Sequence, residues 1–420
     1  MLQSLFNHLF RRTRPIASMP PAAPRPRRAV RPAAAATAPQ APSAPIVGAR
    51  RPLMGRGGQL AGYEFHVGER ILQRISSHQD DMLARIHGKA LLAAMRLATQ
   101  AGGMAYAEIP ARWLPLLVED AARNLHLGLR QFQDVDDPAA LAEAMASWRH
   151  CGAQCGWRPD EAVPGDLVPD FLVAEGARLA PGLPWVAPDM PDIDSLEQAL
   201  QQGAAWGGCA VKAGSEPRQT RALPPGALAL TQLLARLVRD EDTQAVVADI
   251  KQDAALTVRL LQYLNSPGVS RGHVLESVEQ AVAVLGRSAL YQWASTLLVH
   301  LAPARPATAG LQRMALSRAR LLELLGREAG DPALGTLFLL GLCSVLPQLM
   351  QVSLPDALES LQLPEPARQA LLLGAGPWAA YIDVLEALEA PDMVAARILS
   401  ERMGGLEKVL ALSTRSWLFD

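Results

Sequence analysis

The chain has 420 residues, of which half are apolar and 19% are charged, so we expect a large buried core and two or three domains. No apolar run reaches the roughly 20 residues that a membrane-spanning helix needs, and the first residues lack the pattern of a secretory signal. Four cysteines are too few for a disulfide framework, which excludes the disulfide-rich secreted class and favours a reducing cytoplasm.

Positive charge is concentrated at the start of the chain. Residues 1–56 hold ten arginines and no Asp or Glu, and the remainder has thirty basic against forty-one acidic residues, a net charge of −11. A basic arm on an acidic body is typical of a segment that binds nucleic acid, an anionic membrane surface or an acidic protein face.

The arm, residues 1–45, has two parts. Apolar residues at helical spacing predict a short amphipathic helix at 2–12, which would fold only against a partner or surface: Leu2, Leu5, Phe6, Leu9 and Phe10. A frayed start is the alternative for these residues. Residues 13–45 contain nine prolines among alanines and arginines, and this composition predicts a disordered tether.

Residues 46–220 form a first predicted domain, in which strands alternate with helices. Strands are expected at 58–67, 102–110, 169–176 and 206–214, and helices at 76–100, 137–152 and 192–203. Such alternation predicts parallel α/β structure, although the segment is short for a complete eight-unit barrel of about 250 residues.

Residues 221–420 form a second predicted domain, which is entirely helical. Asp253 is placed to cap one helix, Ser277 and Gln280 form a capping box for the next, and Gly286 is expected to end that helix. Residues 338–350, FLLGLCSVLPQLM, are predicted to be a single buried helix because their leucines recur at helical spacing.

Both domains resemble known families. Residues 222–290 resemble the HDOD domain of bacterial signalling proteins, through QDAALTVRLLQYLNS followed by ESVEQAVAVLG. Residues 46–221 resemble an EAL domain, the cyclic di-GMP phosphodiesterase fold, through ARRPLMGRGGQLAGYEFHV and WGGCAVKAGSEPRQTRALPP. The resemblance, to EAL–HDOD signal-transduction proteins of the YuxH type, implies an α/β plus all-α fold: a shortened, degenerate EAL-like TIM-type barrel followed by an all-helical HDOD domain.

The EAL resemblance also indicates where metal ligands would lie. An EAL phosphodiesterase activates water with divalent ions that are held by oxygen ligands. The motif glutamate is retained as Glu64, but the other positions of the motif depart from the family pattern: His66, Gly68, Glu108, Arg130, Gln133, Arg158, Pro159, Val173 and Gly207. Because arginine at a ligand position repels a cation, we predict no catalytic, cofactor-binding or metal-binding residue in this barrel.

The helical domain is also predicted to lack a metal centre. True HD phosphohydrolases use a His-Asp pair with further histidines, whereas Cys343 and Ser344 stand where the pair would be. The histidines of this domain are His273, expected in an exposed loop, and His300, expected as a satisfied cap or core residue. Cys151 and Cys155 beside His150 lack a fourth zinc ligand, so we interpret them as ordinary thiols.

The sequence therefore predicts a cytoplasmic, non-catalytic signal-transduction scaffold that acts through protein partners in a cyclic di-GMP-linked pathway. Two alternatives stay open. The first is a cyclic di-GMP receptor without hydrolysis, in which Arg70 and Arg130 would contact phosphate. The second is a binder of anionic surfaces or nucleic acid through the arm, although the arm lacks aromatic residues between its arginines for stacking on bases.

Overall fold

The structure is a computed structural model that describes residues 47–67, 80–99, 103–174, 182–266, 277–389 and 393–417. The arm, with the helix predicted at 2–12, lies outside these residues, and so do Gly68, Arg70 and His273. Within the described ranges, no helix is long and apolar enough to cross a membrane.

Eight strands form a closed barrel in chain order. Strands β1 to β8 are Val47–Gly55, Leu60–Val67, Met104–Pro110, Leu125–Arg130, Gln154–Trp157, Phe171–Val173, Trp185–Met190 and Trp206–Cys209. Strand β1 is antiparallel to both of its neighbours, β2 and β8, and the remaining neighbours are parallel. The carboxyl ends of β2 to β8 therefore meet at one end of the barrel, which we call the mouth.

The predicted TIM-type barrel is confirmed, and its shortening affects the helices rather than the strands. Three α-helices are present in the described part of this domain: α1 (Asp81–Thr99), α2 (Pro138–His150) and α3 (Ile193–Gln201). Short 3₁₀ segments occur at Ala111–Trp113, Pro115–Asp120 and Phe132–Asp134. Between β3 and β4, 3₁₀ segments therefore stand where a full barrel has a helix.

Side chains of the strands alternate between the barrel interior and the layer beneath the helices. The interior contains one apolar cluster: Leu53, Met104, Tyr106, Phe171, Val173, Val186 and Trp206. The rings of Tyr106, Phe171 and Trp206 meet at edge-on or tilted angles, with centroids 5.0–6.4 Å apart. This cluster fills the barrel below the mouth, so the polar groups above it lie on an apolar floor.

Twelve α-helices are described after the barrel. Helices α4 to α15 are Pro225–Val238, Thr243–Gln252, Ala254–Leu264, Val278–His300, Thr308–Ala329, Leu334–Cys343, Leu346–Met350, Leu354–Ser360, Glu365–Leu373, Ala379–Glu389, Met393–Ser400 and Leu406–Trp417, with a 3₁₀ turn at Glu401–Met403. The Asp253 carboxylate caps α6 by accepting two backbone hydrogen bonds, and the Ser277 hydroxyl caps α7. Gly286, with φ of 74°, interrupts α7 where the sequence analysis expects a helix to end.

The prediction of one continuous helix over residues 338–350 is wrong. Helix α9 ends at Cys343 and α10 begins at Leu346. The break precedes Pro347, which has no N–H to donate and whose ring crowds the carbonyl of the preceding turn. The leucines of this stretch are nevertheless buried, as their spacing predicts.

The helical domain packs directly against β1 and shares one apolar core with the barrel. Gly310 of α8 faces Met54 of β1, and a Cβ at Gly310 would lie 2.3 Å from the Met54 side chain, so glycine permits this close approach. Arg313 Nε donates a hydrogen bond to the Tyr63 hydroxyl at 2.6 Å. Backbone hydrogen bonds also tie the segment after β8 to the helices, including 2.8 Å from Gly214 N to Ser344 O.

We expect Leu342→Ala to lower the free energy of unfolding by about 2–5 kcal/mol, because this side chain is fully buried and its truncation leaves a cavity. Leu372→Ala is the control, since Leu372 is 45% exposed and its truncation should cost less than about 1 kcal/mol. Urea unfolding followed by circular dichroism measures both. Equal stability of the two variants would show that α9 is peripheral.

Candidate functional site at the barrel mouth

Arg51 lies inside the barrel mouth with no exposed side-chain area. Its guanidinium pairs with Glu64 of β2, bonds Asp189 Oδ1 of β7 at 2.5 Å, and donates to the Pro188 carbonyl at 2.8 Å. Burial alone would lower the pKa of Arg51, but the charges and hydrogen bonds of Glu64 and Asp189 outweigh it and raise the pKa above its ordinary value. The arginine therefore stays charged and binds the motif glutamate.

Glu108 is the centre of a second group of charges at the mouth. Arg130 approaches its carboxylate at 3.5 Å and Arg158 at 3.7 Å, and the Tyr106 hydroxyl donates to it at 3.1 Å. Burial, together with the nearby charge of Glu108, raises the pKa of Tyr106 well above its usual range, so this hydroxyl keeps its proton. Gly128 faces this group of charges, and a Cβ at residue 128 would come within 2.5 Å of the Tyr106 hydroxyl oxygen.

The structure brings together several positions that the resemblance marks as the metal centre. Glu64, Glu108, Arg130 and Arg158 come from four strands or the loops that follow them, and all lie at the mouth. Val173 belongs instead to the apolar floor. Gly207 lies on β8 with no space for a side chain, since a Cβ there would meet the Ala187 carbonyl oxygen at 2.6 Å. The sequence analysis missed Arg51 and Asp189, which complete the cluster.

The helical domain contains a comparable buried arginine. Arg318 of α8 forms a bidentate pair with Glu389 of α13, at 2.7 and 2.8 Å. It also donates to the Ser344 hydroxyl at 3.1 Å and to the Val211 carbonyl. Ser344, which the resemblance places where the aspartate of an HD pair would be, thus contacts a guanidinium.

The other candidate residues have ordinary packing roles. A ring nitrogen of His300 lies 2.6 Å from the Thr296 carbonyl oxygen, so this side chain is satisfied within its own helix. Burial raises the pKa of the Cys343 thiol, and burial likewise raises the pKa of Cys155 to about 12. Cys155 is thus a buried thiol while Cys151 is exposed, and the part of the chain that the structure describes contains no group of residues suited to a structural metal.

Fold and site together define a protein in which an eight-stranded barrel, with arginines among its mouth carboxylates, is joined to a helical domain. Residues 223–369 match the model of the HDOD domain. The C-terminal helical region therefore contains an HDOD domain, as the sequence predicts.

Two curated relatives and one solved structure extend the comparison. The protein YuxH of Bacillus subtilis (strain 168) is 24% identical over 162 residues, which is 38% of this chain and 40% of YuxH. The cyclic di-GMP phosphodiesterase CdgJ of Vibrio cholerae serotype O1 is 28% identical over 145 residues, 34% of this chain and 33% of CdgJ. Each match thus spans less than half of the relative. An EAL domain protein from Listeria monocytogenes EGD-e superposes with a TM-score of 0.32 and 10% identity, over 40% of this chain and 86% of that one.

We expect Arg51→Met to lower the free energy of unfolding by about 3–5 kcal/mol, because it leaves the buried Glu64 carboxylate without its cation. Arg130→Met is the control, since its side chain is 38% exposed and its loss should cost about 1 kcal/mol or less. Adding Glu64→Gln to Arg51→Met should recover part of the loss, since it removes the uncompensated charge. Chemical denaturation of these proteins and of the Glu64→Gln single variant tests this account, and a double variant whose loss equals the sum of the two single losses would contradict it.

Proposed function

We propose that this chain is a non-catalytic signalling protein of the cytoplasm, which acts through protein partners in a pathway linked to cyclic di-GMP. Its barrel is a degenerate EAL-like domain, and its HDOD domain provides part of the interaction surface. The observation that carries the proposal is the presence of three guanidinium groups, from Arg51, Arg130 and Arg158, among the mouth carboxylates.

The residues at the mouth do not fit the divalent ions that an EAL phosphodiesterase requires. Hard cations need several oxygen ligands with excess negative charge. Here three carboxylates, Glu64, Glu108 and Asp189, face three arginines, so the cluster has no excess negative charge. A cation entering the mouth would have to displace guanidinium groups and would be repelled by them. We therefore derive no hydrolytic step for this barrel.

In the helical domain, the position that the resemblance assigns to a metal site is also unsuited to a metal ion. Ser344 offers one hydroxyl where a metal site would need a carboxylate, and that hydroxyl already contacts Arg318 and the Gly341 carbonyl. Arg318 is 1% exposed and neutralised by Glu389, which makes this a packed interior rather than an open site. The buried Arg318–Glu389 pair is consistent with an HDOD domain that functions through partners bound at its surface.

The continuity of the two domains favours an interaction role. The barrel and the helices share one apolar core, and Arg313 reaches from α8 to Tyr63 of β2. A partner that binds one domain therefore contacts a surface whose position is fixed by packing against the other domain. Function then depends on the shape of the combined surface, which is what a scaffold requires.

A cyclic di-GMP receptor without hydrolysis is a second candidate, and the exposure of the mouth arginines favours it. The side chains of Arg130 and Arg158 are each 38% exposed, and their distances to Glu108, 3.5 and 3.7 Å, are longer than a short charge-assisted hydrogen bond. A phosphate group at the mouth would compete with Glu108 for these guanidinium groups.

The purified full chain should hydrolyse no cyclic di-GMP in the presence of Mg²⁺ or Mn²⁺, because the mouth carboxylates are already paired with arginine. Neither ion should raise the melting temperature, whereas a ligand at about 100 times its Kd would stabilise the protein by about 2.7 kcal/mol. Product analysis by chromatography and thermal unfolding measure the two effects. Metal-dependent turnover that is lost in Glu64→Gln would contradict the proposal.

The same assay separates scaffold from receptor. A rise in melting temperature with cyclic di-GMP alone, without turnover, would establish the receptor if Arg130→Ala abolishes it. Arg368→Ala is the matched control, since this arginine is similarly exposed but lies on α12 of the helical domain. No shift with the nucleotide would leave the scaffold as the function.

A further inference from the structure

A groove lies at the end of the barrel opposite the mouth, where the turn from β1 to β2 meets the connection from α7 to α8. One wall is formed by residues 56–58 of that turn, and the other by residues 304–306 with Thr308, Ala309 and Gln312. We call it the base groove. Its volume is about 550 Å³, which is within the range of small-molecule sites, and sites of this kind are frequent where two domains meet.

The lining of the base groove is positively charged, since it includes two arginines and no Asp or Glu. Arg56 is exposed and forms no ion pair with any residue that the structure describes. Arg305 is fixed in the opposite wall, where it donates to the Gln348 carbonyl and its Nη1 lies 3.3 Å from Glu197 Oε1. The same carboxylate oxygen accepts the Ala307 N–H at 3.1 Å, so Glu197 compensates Arg305 only in part. The charge of Arg56 is left to attract an anion.

The chemistry of the lining indicates what kind of anion fits. Guanidinium groups bind phosphate in a bidentate manner, and a phosphate group offers three acceptor oxygens to two arginines. The groove is larger than a phosphate ion, and Gln312 offers its amide oxygen to a hydroxyl, since its amide nitrogen donates to the Val299 carbonyl at 3.0 Å. The lining contains no aromatic side chain on which a nucleobase could stack. A phosphate joined to a hydroxyl-rich, non-aromatic group meets these conditions.

We propose that the base groove binds a sugar phosphate, whose phosphate group lies between Arg56 and Arg305. The turn that carries Arg56 belongs to the barrel, and Arg305 precedes the first helix that packs on β1, so the bound ligand links the two domains. The site is at the opposite end of the barrel from Arg130 and Arg158. The proposal is therefore independent of the function proposed for the mouth.

Isothermal titration calorimetry of the full chain with glucose 6-phosphate at low ionic strength tests the site. We expect binding at one site, and Arg56→Ala should weaken it roughly ten-fold or more, because a hydrogen-bonded charge is lost. Arg259→Ala is the matched control, since this arginine is exposed on α6, and it should leave the Kd unchanged.

A second pair of variants tests the opposite wall without removing an arginine. Ala304 is exposed and lines the groove, so Ala304→Glu should repel the phosphate and weaken binding by a similar factor. Ala255→Glu adds the same charge at an exposed position on α6 and should have no effect. Circular dichroism of each variant establishes that the fold is retained.

Other ligands and one further variant identify what is recognised. Glucose should not bind, and inorganic phosphate and AMP should both bind more weakly than glucose 6-phosphate. Inorganic phosphate that binds equally well would reduce the groove to a simple anion site, and tighter binding of AMP would make it a nucleotide site. Weakening by Arg130→Ala rather than by Arg56→Ala would place the phosphate at the mouth. Each of these results, or the absence of binding by glucose 6-phosphate, would overturn the proposal.

Discussion

The buried charge of Arg51 is the constraint on which the barrel mouth depends. A guanidinium with no exposed side-chain area costs several kcal/mol unless carboxylates and carbonyls surround it. Here the compensating groups come from β2 and β7, so it is the closed barrel that brings both carboxylates to Arg51. Gly208 on β8, between β1 and β7, leaves the space for this, since a Cβ there would lie 3.1 Å from the Pro188 carbonyl oxygen. Because Glu64 and Asp189 form ion pairs with Arg51, little negative charge remains at the mouth to bind a metal ion.

Arg318 imposes a similar constraint where the barrel meets the helices. Its guanidinium bonds Val211 just after β8, Ser344 at the end of α9 and Glu389 at the end of α13. The polar contact therefore fixes the path by which the chain leaves the barrel and the break between α9 and α10. In both domains an arginine–carboxylate pair lies at a position where the family resemblance points to an ancestral metal centre. Such a buried pair is costly to break, because the loss of one partner leaves the other charge uncompensated.

The sequence predicts much of this organisation, because hydrophobic periodicity and caps are local signals. The capping by Asp253 and Ser277, the helical domain and four of the eight strands follow from them. The residue pattern did not single out the other four strands, β1, β4, β5 and β7. Glu108, Arg130 and Arg158 could be singled out through the resemblance. Arg51, Asp189 and Arg318 could not, because their partners lie 13 to 138 residues away in the chain and only the closed fold brings them together.

We propose that arginine side chains occupy the place of a metal ion at the barrel mouth, and Mn²⁺ binding tests this proposal most directly. Electron paramagnetic resonance of Mn²⁺ titrated into the full chain reports the free hydrated ion, whose signal falls when protein oxygens replace water. We expect the signal to match that of Mn²⁺ in buffer, and to be the same for the wild-type protein and Glu64→Gln. A signal quenched by the wild-type protein at equimolar concentration and restored in Glu64→Gln would mean that Glu64 holds a cation, and would contradict the account.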